Sequence, residues 1–448
     1  MLQAISSYPD WTLSDWLYHL ENRYFDEIKL GLTRIRHVAA KLNLLSPEAT
    51  VIMVAGTNGK GTTVAAIESI YHAAGYRVGT YTSPHLLCFN ERIKVNGVCI
   101  GDDELCRVFC QIEETRQDIA LTYFEMATLA ALLHFQNARL DVIMLEIGMG
   151  GRLDATNIID PDLSIITTID FDHQDFLGDT LEKIGFEKAG ILRVGKPYLY
   201  ADKTPPQSIL LSARVLGCPP SINGQHYSYQ LTENEFIFNA AHRTIQVKKS
   251  HWHPNALAAA VMATICLQAC LPVEEDALTQ GLQAISLNGR QQRLQCEVET
   301  LLDVSHNAQS AAYLADTIRE NQPSQRVHAV FSALCDKDID ALLKPMIGLV
   351  EYWYPALLIG KRAATALQFD SIFKKYDIMY EALHNSPWDA YQVACQKAAR
   401  GDLIVVYGSF LTVSGVLAAL VKRGQDQTWS DYTARGIALR GSKNESSH

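Results

Sequence analysis

The segment Gly56-Thr57-Asn58-Gly59-Lys60-Gly61 sets three glycines and a lysine between an apolar run at 51–55 and a helix-forming stretch. Glycine permits the tight turns that aim successive backbone N–H groups at one anion, and a following helix adds the positive end of its dipole. Lys60 supplies a mobile cation. The segment therefore reads as a phosphate-gripping loop for ATP or GTP, with Asn58, Gly59, Lys60, Gly61 and Thr62 as nucleotide-contacting candidates. It is a short variant of GxxxxGK[ST], because Val54 falls where the first glycine would stand. Gly61 also replaces the Ser or Thr whose hydroxyl helps hold magnesium. That hydroxyl has to come from Thr62 or from elsewhere.

Three more strand-like runs end in groups that suit a metal–phosphate site. Residues 77–81 lead into Thr82-Ser83-Pro84-His85, residues 140–146 close on Glu146 before Gly148-Met149-Gly150-Gly151, and residues 163–169 run into Asp170-Phe171-Asp172-His173. A hydroxyl from Ser83, a carboxylate from Glu146 and an imidazole from His173 could hold a hard divalent ion that bridges phosphates. Asp170, Asp172 and Asp175 compete with His173, and residue type alone does not rank them. Taken singly, a histidine is more often a hydrogen-bonded structural residue and a strand-end glutamate a cap. Their joint placement beside a phosphate loop carries the reading.

The elements that must position these groups alternate in type. Residues before 45 repeat Trp11, Trp16, Leu17 and Leu20, then Leu32, Ile35, Val38 and Leu42, at helical spacing. From residue 51 the strands named above alternate with helices predicted at 103–116 and 124–135, the pattern of a parallel sheet covered on both faces, whose ligands gather at the carboxyl ends of the strands. A second alternation, with strands at 301–304, 327–331, 352–358 and 403–407, predicts a smaller α/β domain. Between them, 203–244 reads as irregular strands, 254–271 as an Ala-rich helix and 288–295 as the hinge. Two domains, 1–290 and 296–440, fit a chain of 448 residues.

Composition narrows the function. Net charge is −10 with mixed signs along the chain, which argues against a nucleic-acid face. No window approaches a membrane span and the first residues lack a leader pattern, so a soluble, cytoplasmic protein is expected. The ten cysteines are scattered and form no CxxC, which reads as reduced thiols. Cys106 with Cys110 and Cys266 with Cys270 have a spacing that could serve a metal, but they read better as small buried hydrophobes.

The blocks AGTNGKGTT, TYTSPHLLCFNERIKVNG from Thr80, TYFEMATLAAL from Thr122, LEIGMGGRLDATN from Leu145, DHQDFLGDTLEKIGFEKAGI from Asp172 and LDVSHN from Leu302 span most of the chain in order. Together they resemble the folylpolyglutamate synthase family, in its bacterial bifunctional branch, which is akin to the Mur ligases. The resemblance implies a P-loop-containing α/β domain of the Mur ligase central type, followed by a smaller Rossmann-like α/β domain. It also implies an ATP-dependent ligase that adds L-glutamate to dihydropteroate and to reduced folates through an acyl phosphate, working as a monomer.

In such a protein Ser83, Glu146 and His173 hold magnesium, Lys188 is carbamylated to support a second magnesium, and Lys60, His173 and Lys188 serve catalysis. Asn255, Arg290 and Asp303 contact ATP; from the residues alone, Asn255 reads as a helix cap and Arg290 as a hinge charge. The pteridine pocket takes Asn22, Arg23 and Tyr24, then Thr122, Tyr123, Phe124 and Glu125, then Leu153, Asp154 and Ala155. His306 and Ser409 are the glutamate-site candidates. The chain departs from the family pattern at Ser305 in DVAHN, at Leu411 in GSFHTV, and at Asn288 and Gln291 in PGRFQ. A Mur-type ligase for a peptidoglycan precursor and a non-catalytic nucleotide-dependent switch are the competing readings. The TYFE and GGRLDATN blocks oppose the first.

Overall fold

The computed structural model describes residues 10–23, 29–241, 243–321 and 326–424. Tyr24 and the polar tail lie outside the described residues. Eight strands form the main sheet: β1 (Thr50–Ala55), β2 (Val78–Tyr81), β3 (Ile93–Val95), β4 (Val98–Cys99), β5 (Val142–Glu146), β6 (Leu163–Ile166), β7 (Tyr198–Tyr200) and β8 (Pro220–Ile222). Their order is β4-β3-β2-β5-β1-β6-β7-β8, parallel from β2 to β8, with the β3–β4 hairpin antiparallel at one edge.

β5 is buried at every position and β1 at all but its first, which is why both read as unbroken apolar runs rather than as alternation. Two hydrophobic clusters cover the two faces. One packs the N-terminal helices Leu13–Arg23 and Thr33–Lys41 and the helices Asp102–Arg116 and Tyr123–Ala138. The other packs Lys60–Ala73, Pro254–Cys266 and Glu275–Gln283. The helix Lys60–Ala73 is buried nearly all round because it lies between the sheet and those two helices.

The region 203–244 is more regular than its composition predicts. It holds the helix Gln207–Leu216 and β8, then enters a three-stranded antiparallel sheet of β9 (Tyr227–Leu231), β10 (Glu235–Ala240) and β11 (Arg243–Lys248). Phe236, Phe238 and Ala240 alternate inward from β10 onto the core cluster under the main sheet. The predicted strand 163–169 ends at Ile166, because the next residues turn to bond the loop after β1: Thr167 N donates to Ala55 O and Thr57 N to Thr168 O, both at 2.8 Å.

The second sheet comprises β12 (Gln292–Gln295), β13 (Glu299–Leu302), β14 (Val327–Phe331), β15 (Tyr352–Pro355) and β16 (Leu403–Tyr407) in the order β12-β13-β16-β14-β15. β12 runs antiparallel to β13 and takes in half of the predicted hinge, so the connection between the domains narrows to 288–291. None of the ten cysteines is paired in a disulfide.

Candidate active site

The phosphate loop sits between strand ends that the register brings together: Val54 lies opposite Glu146 on β5, and Ala55 opposite Ile166 on β6. Gly56 has φ +148°, and a Cβ there would fall 1.7 Å from Thr167 Oγ1, so only glycine lets β6 close over the loop. Gly59 takes the left-handed conformation at φ +83° just before the helix Lys60–Ala73. Thr57 and Asn58 are pinned to the β6 extension, with Asn58 N donating to Thr168 Oγ1 at 3.1 Å and Asp170 N to Thr57 Oγ1 at 3.0 Å. Lys60 Nζ folds back onto Gly56 O at 3.0 Å and Thr57 O at 3.3 Å, poised at the loop it would share with phosphates.

A cavity of about 860 Å³ opens above these strand ends and is walled on the far side by the second domain. Residues 58–62, Ser83, Glu146, His173 and Lys188 line it, together with Asn255, Arg290, Asp303, His306 and Ser409; of the competing aspartates Asp172 lines it, and Asp170 and Asp175 do not. Glu146 is buried and receives one hydrogen bond, from Ser83 N at 3.2 Å. A Cβ built on Gly61 would stand 3.9 Å from Glu146 Oε2, so the missing side chain leaves room beside the carboxylate. A buried carboxylate with lone pairs to spare, in a cavity also lined by Ser83 and His173, fits a hard divalent cation. Among the described residues no group of three His, Cys, Asp or Glu side chains forms a metal site on its own.

Burial dominates the electrostatics. It pulls Lys60 below the ordinary lysine range against the opposing pull of Glu146 and Asp172, and it raises Glu146 against the pull of Lys60. Lys188, buried on the helix Leu181–Ala189, is drawn down to about 7 by desolvation and by the Lys60 charge. His173 falls to about 4 by burial and is a neutral imidazole at physiological pH. Burial opposes ionisation of Asp172, but the hydrogen bond from His306 and the Lys337 ammonium outweigh it and hold the carboxylate ionised. Asp172 thus serves an interdomain contact, with Lys337 Nζ at 2.5 Å and His306 Nε2 at 3.6 Å.

The second domain meets the loop directly. Asn58 Nδ2 donates to Gln309 Oε1 at 2.6 Å and to Asn307 Oδ1 at 3.2 Å, while Asn307 Nδ2 donates to Asn58 Oδ1 at 2.9 Å. Arg290, in the connection itself, lies half-buried in the cavity 5.1 Å from the Phe410 ring centre, and desolvation there lowers its pKa. Asp303 organises the turn after β13 by accepting from Gln291 N and Ser305 N, each at 2.9 Å. The Ser305 hydroxyl, where the family has alanine, donates to the same carboxylate. Ser409 caps the helix Phe410–Lys422 through Thr412 N at 3.0 Å.

The described pteridine candidates do not line this cavity, and Phe124 among them packs against the turn at Gly148. Thr122 and Glu125 form a capping box, and Glu125 also pairs with Arg34 at 3.1 Å. Phe124 packs against Gly148, and Tyr123 meets Phe89 edge-on at 5.8 Å. Asp154 is buried, accepting from Met149 N at 2.9 Å and Thr156 N at 3.0 Å; Leu153 precedes it and buried Ala155 follows it. Arg23 pairs with buried Glu113, and Asn22 is exposed, donating to Tyr18 O at 2.7 Å. Lys337, Gln309, Tyr313 and Arg92 also line the cavity and escaped the sequence reading. Arg92 lies within the block quoted from Thr80, whereas Gln309, Tyr313 and Lys337 fall outside every quoted block.

Mur ligase domains match both halves of the chain, the middle domain over residues 54–201 and the glutamate ligase domain over 289–410. Fold and site together define an ATP-binding ligase of that class. Among curated relatives, the Escherichia coli (strain K12) dihydrofolate synthase/folylpolyglutamate synthase is 40% identical over 414 residues, covering 92% of this chain and 96% of its own. The Bacillus subtilis (strain 168) protein of the same name is 30% identical over 410 residues, covering 87% and 94%. The structure of Escherichia coli FolC in complex with DHPP and ADP superposes with a TM-score of 0.89 at 39% identity, covering 93% of this chain and 99% of that one. A bifunctional folylpolyglutamate synthase/dihydrofolate synthase with Mn, AMPPNP and L-glutamate bound gives a TM-score of 0.83 at 40% identity, covering 93% and 99%.

The chain belongs to the dihydrofolate synthase/folylpolyglutamate synthase family and is an ADP-forming ligase.

Proposed function

We propose that this enzyme ligates L-glutamate to 7,8-dihydropteroate, giving dihydrofolate, and to tetrahydrofolate, extending its polyglutamate. The carrying observation is one cavity lined by the phosphate loop, by Ser83, Glu146 and His173, and by residues of the second domain. A free carboxylate does not acylate an amine at neutral pH, since oxide would have to leave. Phosphoryl transfer from ATP makes an acyl phosphate instead. Lys60 and the loop amides stabilise charge on the transferring oxygens, a task in which one lost contact costs on the order of 100-fold in rate. The glutamate amine then attacks the acyl carbon and phosphate departs.

Ser83, Glu146 and His173 would hold one magnesium ion, which when bound neutralises phosphate charge. Lys188 suits the carbamate that would support a second. With its pKa near 7, a large share is neutral amine able to take up carbon dioxide, and the product is an anionic oxygen donor. Asn255, Arg290 and Asp303 take the nucleotide, and His306 and Ser409 the glutamate. The pteridine lies against 122–125 and 153–155 with 22–24. Two domains joined at 288–291, the second beginning with β12, act together in a cytoplasmic monomer. No described helix is long and apolar enough to cross a membrane.

Purified enzyme with magnesium should release ADP only when a pteroate or folate and L-glutamate are both present. No glutamate-dependent ADP with either acceptor would refute the assignment. Mass analysis of the native protein should find Lys188 heavier by about 44 Da, lost on acid treatment.

A further inference from the structure

Arg92 ends the short helical turn Phe89–Arg92 that leads into β3, and it lines the cavity with only 8% of its surface exposed. Three neutral groups hold its side chain. Nε donates to His85 Nδ1 at 2.9 Å, and the guanidinium carbon lies 5.5 Å from the Phe89 ring centre and 5.7 Å from that of Tyr123. Its neighbour Glu91 is spent on the N–H groups of Leu86, Leu87 and Cys88. Among the described residues no carboxylate pairs with Arg92, and its two terminal nitrogens donate to no protein group. Lys337 and Arg362 on the same cavity are each paired with an aspartate.

A buried cation is costly until an anion meets it. The aromatic rings offset part of that cost, while the forked edge of the guanidinium stays open for the two parallel bonds that a carboxylate or phosphate accepts. Place decides between those two anions. β3 stands three strands from β1 in the sheet, about 14 Å at ordinary strand spacing, which separates Arg92 from the phosphate loop. It stands next to β2, and Thr82 N, beside Ser83, donates to Arg92 O at 2.9 Å. Tyr123, on the other side of the guanidinium, is one of the pteridine candidates. With the acceptor placed as proposed, Arg92 lies where its ring end gives way to its carboxylate end.

We infer that Arg92 is a further acceptor-binding residue, whose guanidinium takes a carboxylate of the pteroate or folate, and that His85 is a positioning residue that fixes the plane of this fork. The inference rests on the proposed acceptor class. His85 acts through its lone pair alone, since a guanidinium only donates and Nδ1 must accept.

The test is calorimetric titration of the full-length enzyme, with a non-hydrolysable ATP analogue present, against dihydropteroate and against its carboxamide, which keeps the rings and loses the charge. Arg92→Gln should weaken dihydropteroate binding about tenfold to 100-fold, the value of hydrogen bonds to a charged group, and weaken the carboxamide by less than about twofold. His85→Leu should narrow the same carboxylate preference about tenfold, and His85→Asn, which keeps an acceptor, should stay near the parent. KM for ATP and for glutamate should change by less than about twofold in each variant. A parent that binds neither dihydropteroate nor tetrahydrofolate would sink the acceptor reading itself. A parent that binds them, with an Arg92→Gln variant that keeps the carboxylate preference or weakens both ligands equally, would overturn the role of Arg92. A raised ATP KM with parental acceptor binding would overturn it too, by assigning the guanidinium to the nucleotide. A parental preference in His85→Leu would overturn the positioning role alone.

Discussion

The amide bridge from Asn58 to Asn307 and Gln309 joins the phosphate loop to the second domain, and weakening it should loosen closure without touching the reacting atoms. Gln309→Ala removes the shortest of the three bonds, at 2.6 Å. Asn307→Asp keeps the oxygen that Ser310 N reaches at 3.0 Å, preserving the turn into its helix, but loses the donor held 2.9 Å from Asn58 Oδ1. At about 1 kcal/mol net per bond, the double variant forfeits about 2 kcal/mol of closure, or roughly a 30-fold shift toward the open form. Small-angle scattering with a non-hydrolysable ATP analogue should then report a larger radius of gyration than for the parent. Kinetics should show a higher glutamate KM and more ADP formed per amide bond, because water reaches the acyl phosphate. Parental scattering and parental coupling of ADP to product would refute the bridge as a closing contact.

Lys60→Met should reduce glutamate-dependent ADP release by on the order of 100-fold or more. Its thermal midpoint should not fall, because burial already disfavours the ammonium it removes. His253, pulled to about 4 by burial, accepts the Asn255 amide as a neutral ring. A histidine pKa depressed on folding gives stability that is full above about 6.5 and is lost as pH falls toward 4. Urea midpoints should therefore drop more steeply over that window in the parent than in His253→Asn. Gly281→Ala should destabilise by about 1–3 kcal/mol in urea titration, since its Cβ would sit 2.4 Å from Ile70 Cα where two helices touch.

Strands β14 and β16 begin and end where the sequence predicts, because each is a fully buried parallel strand with a sharp polar boundary. The β3–β4 hairpin was missed although it carries its own signal: Asn96-Gly97 takes positive φ at both residues, the two-residue turn that suits a twisted hairpin. β7 and β8 are three residues each, too short for periodicity to register. The phosphate loop was legible because it follows directly on β1; Ser83 and Glu146 stand at the ends of β2 and β5, and His173 comes seven residues after β6, all lining one cavity. Lys337 and Gln309 were not, since their partners lie 165 and 251 residues away and only the docking of the domains brings them together. Asp172, which competed with His173 for the metal, is instead held by that docking.

The connection at 288–291 is both the joint of the molecule and part of its chemistry. Arg290 lies in the cavity, yet the chain path places it between the sheets, and the match to the glutamate ligase domain begins at residue 289. Neither half of the polypeptide owns that residue. Recombining a first domain from one enzyme with a second from another therefore exchanges more than two modules. Any crossover must choose which parent's joint to keep, and that choice also selects the cation that the joint sets into the cavity.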